Sequence, residues 1–120
     1  MATLRERILQ ADDIPSELVP LPKVWGGGQI LVKGLSAGEL ADFVSRYAQQ
    51  PAKVQNAQLL IACLRDPETG KPLFEAADRD GLIGKSGQQI MRLIRVAQRL
   101  AGLTADEEAV ADLKEEGSSG

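Results

Sequence analysis

Helix starts are written into this chain four times, and they commit most of it to helices. A capping box needs Ser or Thr followed three residues later by Glu or Gln, so that two unpaired backbone amides are satisfied reciprocally. The pattern occurs as Thr3-Leu-Arg-Glu6, Ser36-Ala-Gly-Glu39, Ser86-Gly-Gln-Gln89 and Thr104-Ala-Asp-Glu107, each ahead of a segment of helical composition. The first helix is expected from about Leu4 to Ala11, with Leu4, Ile8 and Ala11 on one stripe and Asp12, Asp13 and Pro15 ending it. The second runs from Ser36 to about Gln49, with Leu40, Phe43, Val44 and Tyr47 at helical spacing. After Pro51 a third is expected to turn Val54, Ala57, Ile61 and Leu64 inward. A short helical stretch, Glu75 to Ile83, stops at Gly84. The last strong helix starts at Ser86, carries Ile90, Leu93, Ile94, Ala97, Leu100 and Ala101 on a continuous apolar face, and ends at Gly102.

One segment breaks the helical rhythm. Leu18 to Trp25 and Gln29 to Lys33 are β-prone runs flanking Gly26-Gly27-Gly28, which reads as a hairpin. Pro20 and Pro22 are two residues apart, so their missing amides face the same side. Val19, Leu21 and Lys23 are left to pair with the second strand, and Leu18–Val24 becomes an edge strand blunted by proline. Asp66-Pro-Glu-Thr-Gly70-Lys71 is a tight turn, after which Leu73 and Phe74 return to the core. The fold expected is mainly α with one β-hairpin (α+β), a small helical bundle packed with an N-terminal hairpin. Residues 1–103 form a single globular domain, and 104–120 an acidic C-terminal tail, partly helical or disordered.

Composition removes most chemistry. Histidine is absent, so no Ser-His-Asp or Cys-His arrangement and no His-containing zinc site can be built. Cys63 is the only cysteine, which excludes an internal disulfide and thiolate clusters within one chain. Lying in Leu60-Ile-Ala-Cys-Leu64, it reads as a small, inert core residue of a reducing compartment. Aromatics make up 3% of the chain, so aliphatic side chains must fill the core. The net charge of −3 argues against nucleic-acid and anionic-membrane partners. The longest apolar run, Leu59–Leu64, is far short of the ~20 residues a spanning helix needs. Arg5, Glu6 and Arg7 stand where a secretory signal would be apolar, so a cytoplasmic location is expected. No enzyme, cofactor or metal is expected.

Four features invite a site. Gly81-Leu-Ile-Gly84-Lys85-Ser86 imitates the end of a phosphate-binding loop, but Arg79 stands where that pattern requires glycine. Gly84 is better read as the end of one helix and Ser86 as the cap of the next. Asp78-Arg-Asp80-Gly81 imitates a calcium loop, but Ala76 and Gly87 occupy two of its ligand positions. Arg92, Arg95 and Arg99 line one side of the last helix, as a solvated face or as a dock for an acidic protein segment. Trp25, at the hairpin tip, either folds back onto the core or stands out as an interface anchor.

The order of segments adds a further indication. Leu4–Pro15 opens the chain, followed by a proline-rich strand ending in Val24-Trp25-Gly26. Then come Ile30-Leu-Val-Lys-Gly-Leu-Ser-Ala-Gly-Glu39, Asp66-Pro-Glu-Thr-Gly-Lys-Pro-Leu-Phe74 and Ile94-Arg-Val-Ala-Gln-Arg-Leu-Ala-Gly-Leu103. In this order and spacing, from about residue 3 to residue 105, the chain resembles the tail assembly chaperones of long-tailed bacteriophages; the glycine run is a departure. The resemblance implies a non-catalytic protein of the host cytoplasm that keeps the tape measure protein soluble while tail-tube proteins assemble around it. It also implies absence from the mature virion. Self-association is expected, as are partner contacts through Trp25, Arg92, Arg95 and Arg99. Two other classes compete: a structural minor tail or connector protein, and behind it a small nucleic-acid-binding regulator.

Overall fold

In the computed structural model, residues 2–103 are described; the Thr104 capping pattern and the acidic tail lie outside them. Helix α1 (Leu4–Gln10) leads through an extended link to strand β1 (Ser16–Pro20), which pairs antiparallel with β2 (Gln29–Lys33). Helices α2 (Ala37–Tyr47) and α3 (Ala52–Cys63) follow, then β3 (Leu64–Arg65), the short α4 (Arg79–Ile83) and α5 (Gly87–Ala101). The class is α+β, as the sequence indicates, but the hairpin gains a third antiparallel strand, in the order β1-β2-β3.

The caps behave largely as their residues dictate. Ser36 and Glu39 form the full reciprocal box at α2, with bonds of 3.1 and 2.9 Å. Thr3 accepts the Glu6 amide at 3.1 Å, and Ser86 the Gln89 amide at 3.5 Å. At the far end of α5, Gly102 takes φ 73°, and the Leu103 amide donates to the Gln98 carbonyl at 2.9 Å, closing the last turn. A connection invisible in the sequence ties α2 to α3. The Gln55 amide nitrogen lies 3.0–3.2 Å from the carbonyls of Tyr47, Ala48 and Gln50, at the end of α2 and in the loop after it, where helix carbonyls run out of intrahelical donors. The Tyr47 carbonyl also accepts the Gln50 amide at 3.0 Å.

Side-chain alternation orients the hairpin. Val19, Ile30 and Val32 are buried on the face turned toward α5, while Leu18 and Leu31 take the other face. The core is completed by Ala57, Leu59, Leu60 and Cys63 of α3, Leu64, Leu82, and Leu93, Ile94, Ala97 and Ala101 of α5. The stripe expected on α3 needs correction: the buried positions are Ala57, Leu59, Leu60 and Cys63, Ile61 is half-buried, and Leu64 belongs to β3. An apolar run on the inner helix of a small core has no polar side to mark its register, and the helix-to-strand switch leaves no mark in it.

β3 exists because the turn at Asp66–Lys71 folds the chain back on itself. The Asp66 amide donates to the Lys71 carbonyl at 2.9 Å, and Gly70, at φ 73°, donates to the Asp66 carbonyl at 2.7 Å. The Leu73 amide then reaches the Leu64 carbonyl at 3.1 Å, and Arg65 bridges to Pro72. Phe74 packs against the core as expected, but Leu73 stays 43% exposed.

At one point the close approach of two elements requires glycine. Gly34 is buried where β2 passes α5, and a Cβ built there would overlap the Leu100 carbonyl.

Candidate protein-binding surface

Trp25 is not the tip of a strand. β1 ends at Pro20, and Lys23–Trp25 form a single 3-10 turn started by Pro22, whose carbonyl accepts the amides of Trp25 at 3.0 Å and Gly27 at 3.1 Å. Lys23 therefore leaves the ladder, whereas the Leu21 amide still reaches the Gly28 carbonyl at 2.9 Å. Three consecutive residues at positive φ, Gly26 at 94°, Gly27 at 71° and Gly28 at 82°, bring the chain back into β2. Only glycine adopts such a run without strain. The expected hairpin turn is thus longer and folded inward, and it lays the half-buried Trp25 against the core.

There Trp25 forms one wall of a cleft of about 380 Å³. Leu21 and Ile30 of the hairpin, Leu64, Leu73 and Phe74 around β3, and Leu82, Ile90 and Leu93 of the last two helices line the rest. Among the described residues, Asp78 and Lys85 are its only charged lining groups. Such a surface holds apolar side chains and, with few polar groups to orient a small molecule, offers little for chemistry. Apart from Trp25, the sequence offers these residues as parts of strands, helices, a turn and two look-alike motifs, and Leu73-Phe74 beside a turn is the available signal.

The arginines are placed unequally. Arg92 is half-buried: its guanidinium donates to the Pro20 carbonyl at 2.8 Å and to the Gln89 side chain at 3.2 Å. Arg99 meets both Glu17 carboxylate oxygens at 3.0 Å. Both side chains are half open to water, so this pair contributes little energy to the seating of β1 on α5. Arg95 is exposed, and among the described residues it makes no salt bridge or side-chain hydrogen bond. Arg92 and Arg99 are thus engaged with β1, Arg95 is open, and Trp25 packs against the core.

The phosphate-loop imitation resolves into helix ends, with Gly84 after α4 and Ser86 capping α5. Cys63 is fully buried, and desolvation pushes its thiol from an ordinary 9.0 to about 12, against the opposing pull of Arg65. Two results are expected. A thiol reagent at pH 8 leaves Cys63 untouched until the chain is denatured. Because the folded value is raised, the stabilisation tied to this thiol is complete below pH 9 and is lost as pH climbs toward about 12. Denaturant titrations of Cys63→Ala across that window should show a shallower decline; an identical decline removes Cys63 as its cause.

No protein-family model matches the chain, and no curated protein matches it. Among solved structures, the fold is similar to that of the bacteriophage HK97 tail assembly chaperone, with a TM-score of 0.59. The match covers 80% of this chain and 91% of that one at 17% sequence identity. What is shared at that identity is the fold, and it is the fold of the same kind of protein that the order of sequence segments resembles. Among the described residues, no helix is long and apolar enough to cross a membrane.

A second groove lies between α2 and α3, about 310 Å³ in volume. Phe43 and Tyr47, with ring centres 5.1 Å apart, share its floor with Leu35, Ile61 and Ala62, and Glu39, Asp42 and Arg46 line it as well. All four aromatic residues of the chain thus border one of the two depressions.

Proposed function

We propose that this chain is a phage tail assembly chaperone that binds the tape measure protein through the cleft beneath Trp25 and keeps it soluble while tail-tube proteins assemble. The observation that carries this reading is an apolar, nearly uncharged cleft on a fold similar to that of the HK97 tail assembly chaperone. A long amphipathic client presents apolar side chains at helical spacing, and a groove walled by Trp25, Leu73 and Phe74 accommodates such anchors without chemistry. Arg95, with the free edges of Arg92 and Arg99, is proposed to meet acidic segments of the same client. The protein acts in the host cytoplasm, in several copies per client, and leaves before the particle is complete. Weak sites suffice for this, because copies aligned on one long client gain avidity.

The test is co-expression with the tape measure protein of the same genome, followed by affinity recovery. The unaltered chain should retain the client, and Leu73→Asp, placed at the partly exposed cleft rim, should lower recovery at least about tenfold, since it buries a charge in the contact. Arg95→Glu should lower it less. If the unaltered chain never retains the client, the chaperone reading fails; if only Leu73→Asp is silent, the cleft is the wrong surface. Many copies in purified virions would instead identify a structural tail or connector subunit.

A further inference from the structure

Two of the α-helices, α1 and α2, bury none of their residues. Leu4, Ile8 and Leu9 of α1 are 61–68% exposed. An isolated helix of this length is marginal in water, so α1 needs a surface to hold it. Its wheel describes that surface. With residues turning by about 100°, Arg5 falls between Ile8 and Leu9, Arg7 lies beside Leu4, and Glu6 and Gln10 occupy the back. The apolar side of α1 therefore carries both arginines, and its complement is an apolar floor with carboxylates beside it.

The groove between α2 and α3 has that character. Glu39, Asp42, Phe43, Arg46 and Tyr47 lie on one stripe of α2, with the two carboxylates at its N-terminal end and the rings beyond. Glu39 spends one oxygen on the Ser36 amide and keeps the other. The cleft under Trp25 fits less well: its one carboxylate is offset by one lysine, whereas the groove keeps one carboxylate in excess after Arg46 is counted. Residues 104–120 are the wrong occupant, because their six acidic residues against Lys114 repeat the sign of the groove's carboxylates.

We propose that α1 of one copy seats in the α2–α3 groove of a second copy, Leu4, Ile8 and Leu9 on the Phe43–Tyr47 floor and Arg5 and Arg7 toward Glu39 and Asp42. The link after α1 is what sends the helix outward. Ala11 is extended (ψ 135°), Pro15 restricts Ile14 to extended backbone, and the Pro15 carbonyl is fixed by the Gly34 amide at 2.8 Å. A stiff arm rooted beside its own groove reaches another copy's groove more readily than it doubles back. Reciprocal exchange closes a dimer, and unreciprocated exchange gives an open chain of copies. One short helix makes a small interface, so the association is weak in isolation. The inference builds on the many-copy aspect of the proposed function, but it concerns the protein without its client.

Sedimentation of the full chain alone, from about 10 μM to about 1 mM, spans the range of weak association. The unaltered protein should associate with concentration. Ile8→Glu, at an exposed position, should weaken association at least about tenfold with an unchanged melting curve. Arg5→Glu/Arg7→Glu and Asp42→Arg should each be monomeric alone, and a mixture of the two should associate, because each arm then meets a groove of opposite charge. A chain that stays monomeric throughout, or an Ile8→Glu chain that associates like the unaltered one, overturns the inference. Either result leaves client recovery unaffected, so the two proposals fail separately.

Discussion

Leu93→Ala is expected to lower unfolding free energy by roughly 2–5 kcal/mol, while Arg95→Ala, two residues along the same helix, changes it by less than about 0.5 kcal/mol. Leu93 is 2% exposed among Ile94, Ala97 and the residues of α3, and its truncation leaves a void that rigid neighbours fill only partly. Arg95 is exposed, without a side-chain partner among the described residues. Domains of this size are stable by about 5–15 kcal/mol, so the first change removes a large share of the total. Urea denaturation of both variants is the measurement. Equal midpoint shifts would mean that α5 presents a different face to the core.

Gly34→Val is expected to be at least as damaging, for the opposite reason: too much matter in place of too little. The Gly34 backbone is not at positive φ, so conformation does not demand glycine there; space does. The atom that an added Cβ meets is the Leu100 carbonyl of α5, and the Pro15 carbonyl is also only 3.4 Å from it. Backbone cannot rotate aside as a side-chain end can, so α5 must move off the hairpin. Overpacking costs about 1–3 kcal/mol and occasionally more. Gly34→Ala should already shift the urea midpoint, and valine should shift it further. Gly38→Ala, at a position with nothing within 4 Å, is the control. A Gly34→Ala chain as stable as that control would show that β2 and α5 are less closely seated.

These expectations were unequally legible in the sequence. The caps at Ser36 and Ser86 and the apolar stripe of α5 are local signals, and local signals set the helix boundaries. Pro20 likewise keeps its missing amide off the β1–β2 ladder as its spacing requires. Trp25 was undecidable because its direction depends on three successive left-handed glycines, a conformation the residue type permits without dictating. β3 leaves no mark in the sequence because two residues give no alternation, and Leu64 continues the apolar run of α3. Arg92 and Arg99 looked equivalent to Arg95 until the fold brought Pro20 and Glu17 beside them, 72 and 82 residues away in the chain. Gly34, between a strand and a capped helix, gave no hint of the helix that crosses it.

The margins of the sheet bear on how such a protein meets another polypeptide. On the outer side of β1, Pro20 and Pro22 offer no amide, and the Pro20 carbonyl is already taken by Arg92. Beyond β3, the returning segment at Lys71–Leu73 fills the ladder, again with a proline in it. Among the described residues, the outer side of β1 leaves only Ser16 and Leu18 with amides to offer. A foreign strand finds a short register there, and side chains are the larger part of the surface that a partner meets. If the chain acts as proposed, a surface built this way gives a bound segment little main chain on which to extend the sheet, which works against stacking of the two into shared β-structure.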